Sequence, residues 1–112
     1  MERVCFRMQV DPAHLGEYIE RHRSVWPEML TALQNSGWNN YSLFADPNGM
    51  IIGYLETEDY ETAQRDMELK DINAKWQASM SEHFASGRSF DDGPARLQEV
   101  FNLEDQLSAR TP

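Results

Sequence analysis

The chain has 112 residues, which is one domain's worth, because two halves would each be too small to bury a core. Hydrophobic residues at 40%, aromatics at 11%, support a packed interior, while a net charge of −9 repels phosphate backbones and anionic membranes, so nucleic acid and lipid are excluded as expected partners. No apolar run nears the roughly 20 residues of a bilayer span, the opening "MERVCFRMQV" lacks the pattern of a secretory signal, and the single cysteine, Cys5, forbids an internal disulfide and fits a reducing compartment, the cytoplasm.

Residues 3–10 alternate, with Val4, Phe6, Met8 and Val10 on one face and Arg3, Cys5, Arg7 and Gln9 on the other, which predicts a strand with one apolar face. Asp11 then offers an N-cap and Pro12 a first helical position. A helix over about 12–36 follows, stopped by Ser36 and Gly37. Its apolar stripe runs Leu15, Tyr18, Ile19, His22, Val25, Trp26, Met29, Leu30 and Leu33, so a tyrosine and a histidine stand where a core wants leucines. Pro27 lacks the N–H that would bond Arg23 and pushes Trp26 from helical angles, so a kink or break is expected at 23–27.

Strands at 38–45 and 50–57 are joined by "DPNG", a hairpin with Pro47 at the first central turn position and Gly49 in a left-handed conformation. A second helix carries Tyr60, Ala63 and Met67, then Ile72, Trp76, Met80 and Phe84, with a break near Lys70 and Asp71. The acidic cluster Glu56, Glu58, Asp59 and Glu61 suits the positive end of that helix. Residues 85–94 read as loop, 95–103 as a last strand with Leu97, Phe101 and Leu103 on one face, and the tail 104–112 as loosely ordered.

The order strand, helix, strand, strand, helix, strand is the split βαβ, or ferredoxin-like, arrangement: an α+β domain over 1–103 whose antiparallel sheet is covered by helices on one face. The other face mixes Arg7 and Gln9 with Cys5 and Val100, and a partly apolar, uncovered face is expected to find a second copy.

Chemistry has few places to reside. His14, His22, His83 and Cys5 lack ligand spacing, so no metal is expected, and neither a phosphate-binding loop nor a nucleophile elbow is present. Cys5 is read as a small core or interface residue, and Glu20, Arg21 and Arg23 as a solvated helix face. What remains is the stripe: Tyr18 and His22, four apart, share a face that looks toward the sheet, where Tyr41 and Trp76 can join them. Histidine with tyrosine could move protons near neutral pH, and aromatic rings suit the C–H faces of sugars. The plainer alternative is a core histidine satisfied by one carbonyl among bulky packing residues.

The runs "MQVDPAHLGEYIERHRSVWPEM", "GWNNYSLF", "KWQ" and "LQEVF" resemble the L-rhamnose mutarotase family over residues 1–103, most specifically in Tyr-x-x-x-His-x-x-x-Trp-Pro-Glu at 18–28. The resemblance implies a cytoplasmic, dimeric α+β barrel that interconverts sugar anomers without metal or organic cofactor. It further implies His22 as proton donor, Tyr18 and Tyr41 as sugar-binding residues, and a tryptophan pair at Trp76 and Gln77. The second of that pair is glutamine here, a change that bears on which 6-deoxy sugar is preferred; L-fucose, which differs from L-rhamnose at C2 and C4, is the alternative substrate. Two further readings stand beside it: a non-catalytic sugar-binding dimer, and an oxygenase on the same fold with a more apolar pocket.

Overall fold

Alternation in the first strand sets the frame. In the computed structural model, which describes residues 1–83 and 94–110, β1 (Glu2–Gln9) buries Val4, Phe6 and Met8 and turns Arg7 and Gln9 to solvent. β2 (Asn39–Ala45) and β3 (Met50–Thr57) form the expected hairpin: Gly49 N–H donates to the Asp46 carbonyl at 2.9 Å, and Gly49 sits at φ 93°. A Cβ there would lie 2.2 Å from the Val10 carbonyl oxygen, so both the turn and its close neighbour require glycine. The sheet is antiparallel in the order β2-β3-β1-β4, with β4 at Ala95–Leu97. This is the ferredoxin-like arrangement.

All the core helices lie on the face of Val4, Phe6, Ile51 and Leu55. They come in pieces. A 3-10 turn at Pro12–His14, with the Asp11 carboxylate accepting from Ala13 N–H at 2.9 Å, leads into α1 (Leu15–Arg21). A second 3-10 turn at His22–Ser24 and an extended pair, Val25 and Trp26 (ψ 140° and 134°), separate it from α2 (Pro27–Asn35). Of the kink or break expected at 23–27 in the helix over 12–36, the structure has the break, because Pro27 starts a new helix rather than bending an old one. Two stripe residues, Ile19 and Leu30, end up 38% and 53% exposed, since the break turns the two segments independently.

The C-terminus of α2 closes through Gly37 (φ 86°): Gly37 N–H donates to Gln34 and Trp38 N–H to Leu33, both carbonyls. Beyond the hairpin, α3 (Tyr60–Glu68) is capped by Asp59 and by the Glu2 carboxylate, which accepts from Tyr60 N–H at 2.8 Å; α4 (Asp71–Met80) follows an extended Lys70 (ψ 126°). The expected break near Lys70 and Asp71 is present.

The C-terminal expectations need correction. The strand expected over 95–103 keeps only Ala95–Leu97, and the tail read as loosely ordered contains α5 (Leu103–Arg110). Val100 is 86% exposed: the chain past Leu97 leaves the sheet because nothing in a single copy covers that face. Asn102 caps α5 by accepting from Asp105 N–H at 2.9 Å, and Arg3 holds both Glu99 and Asp105. The loop read at 85–94, and Phe84, fall outside the described residues except for Pro94.

Candidate active site

His22 caps the C-terminal end of α1, and both its backbone N–H and its ring turn back to the Tyr18 carbonyl in the last turn. Its ring Nδ1–H donates to the Tyr18 carbonyl at 2.8 Å, which fixes the neutral tautomer: the proton is on Nδ1 and the lone pair on Nε2. Burial lowers the pKa of His22 below the ordinary 6.5, opposed by that hydrogen bond and reinforced by the nearby His83 ring and Arg21 guanidinium. His22 is half-buried and neutral at pH 7.

Tyr18 lies one turn back on the same face, its ring 4.3 Å from that of His22 at 35°. Burial pushes its phenol far above the usual value, and Tyr41 is raised for the same reason, with Tyr18 and Tyr60 adding to it. Both hydroxyls therefore keep their protons throughout the neutral range and serve as hydrogen-bond donors as well as acceptors.

Tyr41 faces this group only because β2 contains a bulge. Asn39 pairs with Glu56, yet Ser42 pairs with Tyr54, so Asn40 and Tyr41 together oppose Leu55. Strict alternation from buried Trp38 would put Tyr41 on the open sheet face with Asn39; the extra residue, Asn40 at φ 49°, returns it to the helix side. There the Tyr41 ring packs 4.9 Å from Trp38 and 6.2 Å from Phe6.

Trp76 comes from α4. Its ring meets His22 edge to face at 5.5 Å and Trp26 at 5.0 Å, and the Arg21 guanidinium lies over it at 5.9 Å. At 5% exposure it offers a ligand only a strip of ring, so it acts chiefly as a wall that holds His22 rather than as an open stacking platform. Arg21, expected on a solvated face, instead ties α1 to α4 by donating to the Ser79 hydroxyl at 3.0 Å. Gln77 is half-buried and donates from Nε2 to Asn73 Oδ1 at 3.2 Å.

All five residues singled out in the sequence, Tyr18, His22, Tyr41, Trp76 and Gln77, line one cavity of about 830 Å³, inside the roughly 300–1,000 Å³ of small-molecule sites. The sequence reading missed its amides, above all Asn73 and Asn40; the only signal for Asn73 is its position three residues before Trp76 and four before Gln77. It also gave no role to His83, which is fully buried beside the rings of Tyr18 and His14 and 3.4 Å from the Glu17 carboxylate. Among the described residues, no group of three or more His, Cys, Asp or Glu could hold a metal ion, and no helix is long and apolar enough to cross a membrane. The cavity thus joins one neutral imidazole, two protonated phenols and several amides: equipment for moving a proton on a neutral, hydroxyl-rich molecule.

The family model for L-rhamnose mutarotase matches residues 3–103. The L-rhamnose mutarotase of Oceanobacillus iheyensis is 37% identical over 107 residues, covering 93% of this chain and all of that protein; that of Enterococcus faecalis is 36% identical over 104 residues, covering 92% and 100%. In fold, the chain is similar to the crystal structure of L-rhamnose mutarotase from Formosa agariphila, with a TM-score of 0.76 and 24% identity over 92% of this chain and 99% of that one. An antibiotic biosynthesis monooxygenase shares the fold more distantly, with a TM-score of 0.57 and 15% identity over 89% of this chain and 99% of that one.

Proposed function

The chain belongs to the L-rhamnose mutarotase family, and on that premise we propose that it interconverts the α and β anomers of L-rhamnose at the His22 cavity. One observation carries the assignment of the chemistry: His22 has its Nδ1 committed to the Tyr18 carbonyl, which leaves a basic Nε2 among aromatic walls and phenolic hydroxyls.

The reaction needs a proton moved from the anomeric oxygen to the ring oxygen, two atoms joined to the same carbon. Neutral Nε2 takes the proton from O1; the O1–H electrons form the C1=O1 bond as C1–O5 breaks. The imidazolium then gives its proton to O5, producing the open aldehyde. Rotation about C1–C2 presents the other face of the carbonyl, and the reverse transfers close the ring as the other anomer. Such a positioned group contributes typically about 10² to 10⁴ in rate. Tyr18 and Tyr41 hydrogen-bond the sugar, Trp76 keeps the imidazole in place, and the Gln77 amide meets a hydroxyl.

The working unit we propose is a cytoplasmic homodimer. Its support is the sheet face turned away from the helices, where Phe44 and Leu97 stand exposed beside half-buried Cys5, Ile52 and Tyr54. The single cysteine suits a reducing compartment.

Saturation transfer between the α and β H1 resonances, for L-rhamnose and L-fucose, tests the reading. Wild type should speed exchange of L-rhamnose, and His22→Ala should remove at least about a hundredfold of that enhancement. Full activity in His22→Ala would show the imidazole to be a bystander.

A further inference from the structure

The face of α4 that carries Trp76 also carries Asn73, one turn earlier, and Gln77. We propose that Asn73, oriented by Gln77, is a specificity-determining residue that reads one hydroxyl of the sugar ring away from C1. The inference rests on the mutarotase reading of the cavity.

Three observations support it. First, Asn73 is only 4% exposed and shares the cavity wall with Met67, Trp76 and Met80, an apolar setting in which an amide costs stability unless its hydrogen bonds are made. Second, the one side-chain hydrogen bond of Asn73 among the described residues is the one its Oδ1 accepts from Gln77 Nε2. That bond uses the acceptor of one amide and the donor of the other. It leaves Asn73 Nδ2 as a donor and Gln77 Oε1 as an acceptor, both on residues lining the cavity. A hydroxyl is the small group that donates and accepts at once, so the pair is complementary to it.

Third, the placement fits. Trp76 contacts the His22 ring, and Asn73 stands about 4.5 Å along the helix axis from Trp76, three residues at the usual rise. A sugar whose C1 is at His22 therefore reaches Asn73 with a different hydroxyl. The direct bond between the two amides ties their orientations together, so that a donor end on one is always presented beside an acceptor end on the other.

The test pairs residue with hydroxyl. Wild type, Asn73→Leu and Gln77→Leu are compared on L-rhamnose and its 2-deoxy, 3-deoxy and 4-deoxy analogues, by anomer exchange and, in parallel, by calorimetric binding. Asn73→Leu should cost about tenfold to a hundredfold on L-rhamnose, and that loss should vanish for the one analogue lacking the hydroxyl that Asn73 reads. Gln77→Leu should show a smaller loss on the same analogue pattern. Equal losses on all four sugars, or none, overturn the assignment. Should Asn73→Leu fold poorly in a thermal melt, Asn73→Ser provides the same cycle. Wild type that binds the sugars without exchanging them would refute the mutarotase reading while the binding cycle still scores Asn73; wild type that neither binds nor exchanges overturns both.

Discussion

At the scale of single residues, His22 joins a trait of the plainer reading to the partial exposure that a reacting group needs. Its Nδ1 does bond one carbonyl, as a core histidine's would, but the ring is only half-buried and its other nitrogen remains for chemistry. Burial holds its pKa below 6.5, so the base form prevails at neutrality. The pH profile of kcat/KM should be level from pH 7 into the mildly alkaline range and fall with acid, tenfold per unit once below the folded-state pKa. A profile that instead declines from pH 6.5 upward would make the protonated ring the starting form. Stability carries the same sign: with the folded pKa depressed, this group's contribution is whole above 6.5 and diminishes as pH drops through the window below it. Tyr18 and His22 were legible from spacing and from the family resemblance. Asn73 was not, because an amide on a helix has the same sequence signature whether it faces water or a cavity.

At the scale of elements, the site depends on irregularities. Pro27 splits the first helix, and the resulting end of α1 supplies the carbonyl that orients His22. In β2 the extra residue, Asn40, decides which way Tyr41 points. Deleting Asn40 should restore plain alternation with Tyr41 alone opposite Leu55, still on the helix side, so activity should fall less than in Tyr41→Phe under the same exchange assay. Point substitutions give a subtler measure by chemical denaturation: Asn40→Gly should leave stability nearly unchanged, whereas Asn40→Val, β-branched at φ 49°, should cost about 1–2 kcal/mol. Equal stability of the two would mean that the bulge relaxes without strain. The helix breaks could be read from proline and from two stripes out of phase; the bulge could not, since "WNNYSLF" alternates acceptably in either register.

For the whole molecule, the uneven distribution of apolar surface is the main feature. One sheet face is covered by α1 to α4, while the other, with the chain from Leu97 through Leu107, leaves Leu97, Val100, Phe101, Leu103 and Leu107 exposed. Apolar surface of that kind is costly in water and is normally covered in an assembly. Sedimentation equilibrium at micromolar concentration should therefore give about twice the 13.0 kDa of one chain, and Leu97→Glu combined with Phe44→Glu should shift the mass toward the monomer. A wild-type protein that sediments as a single chain would defeat the dimer proposal. The same exposure explains the misread last strand. Leu97, Phe101 and Leu103 look like one buried face, but within one copy there is nothing for that face to meet.

The sequence by itself determined the elements as far as the second helix, the covered sheet face, both helix breaks and the choice of Tyr18, His22, Tyr41 and Trp76 as candidates, because these follow from local rules: alternation, helical spacing, proline sterics and a match of short motifs. Only the tertiary structure decided the His22 tautomer, the turning of Tyr41 by a bulge, the closing of Trp76 against its neighbours, and the pairing of Asn73 with Gln77 inside the cavity. Each of these depends on which groups from distant segments share a dry space. Burial and hydrogen-bond partnership are properties of that space, and no window of sequence contains them.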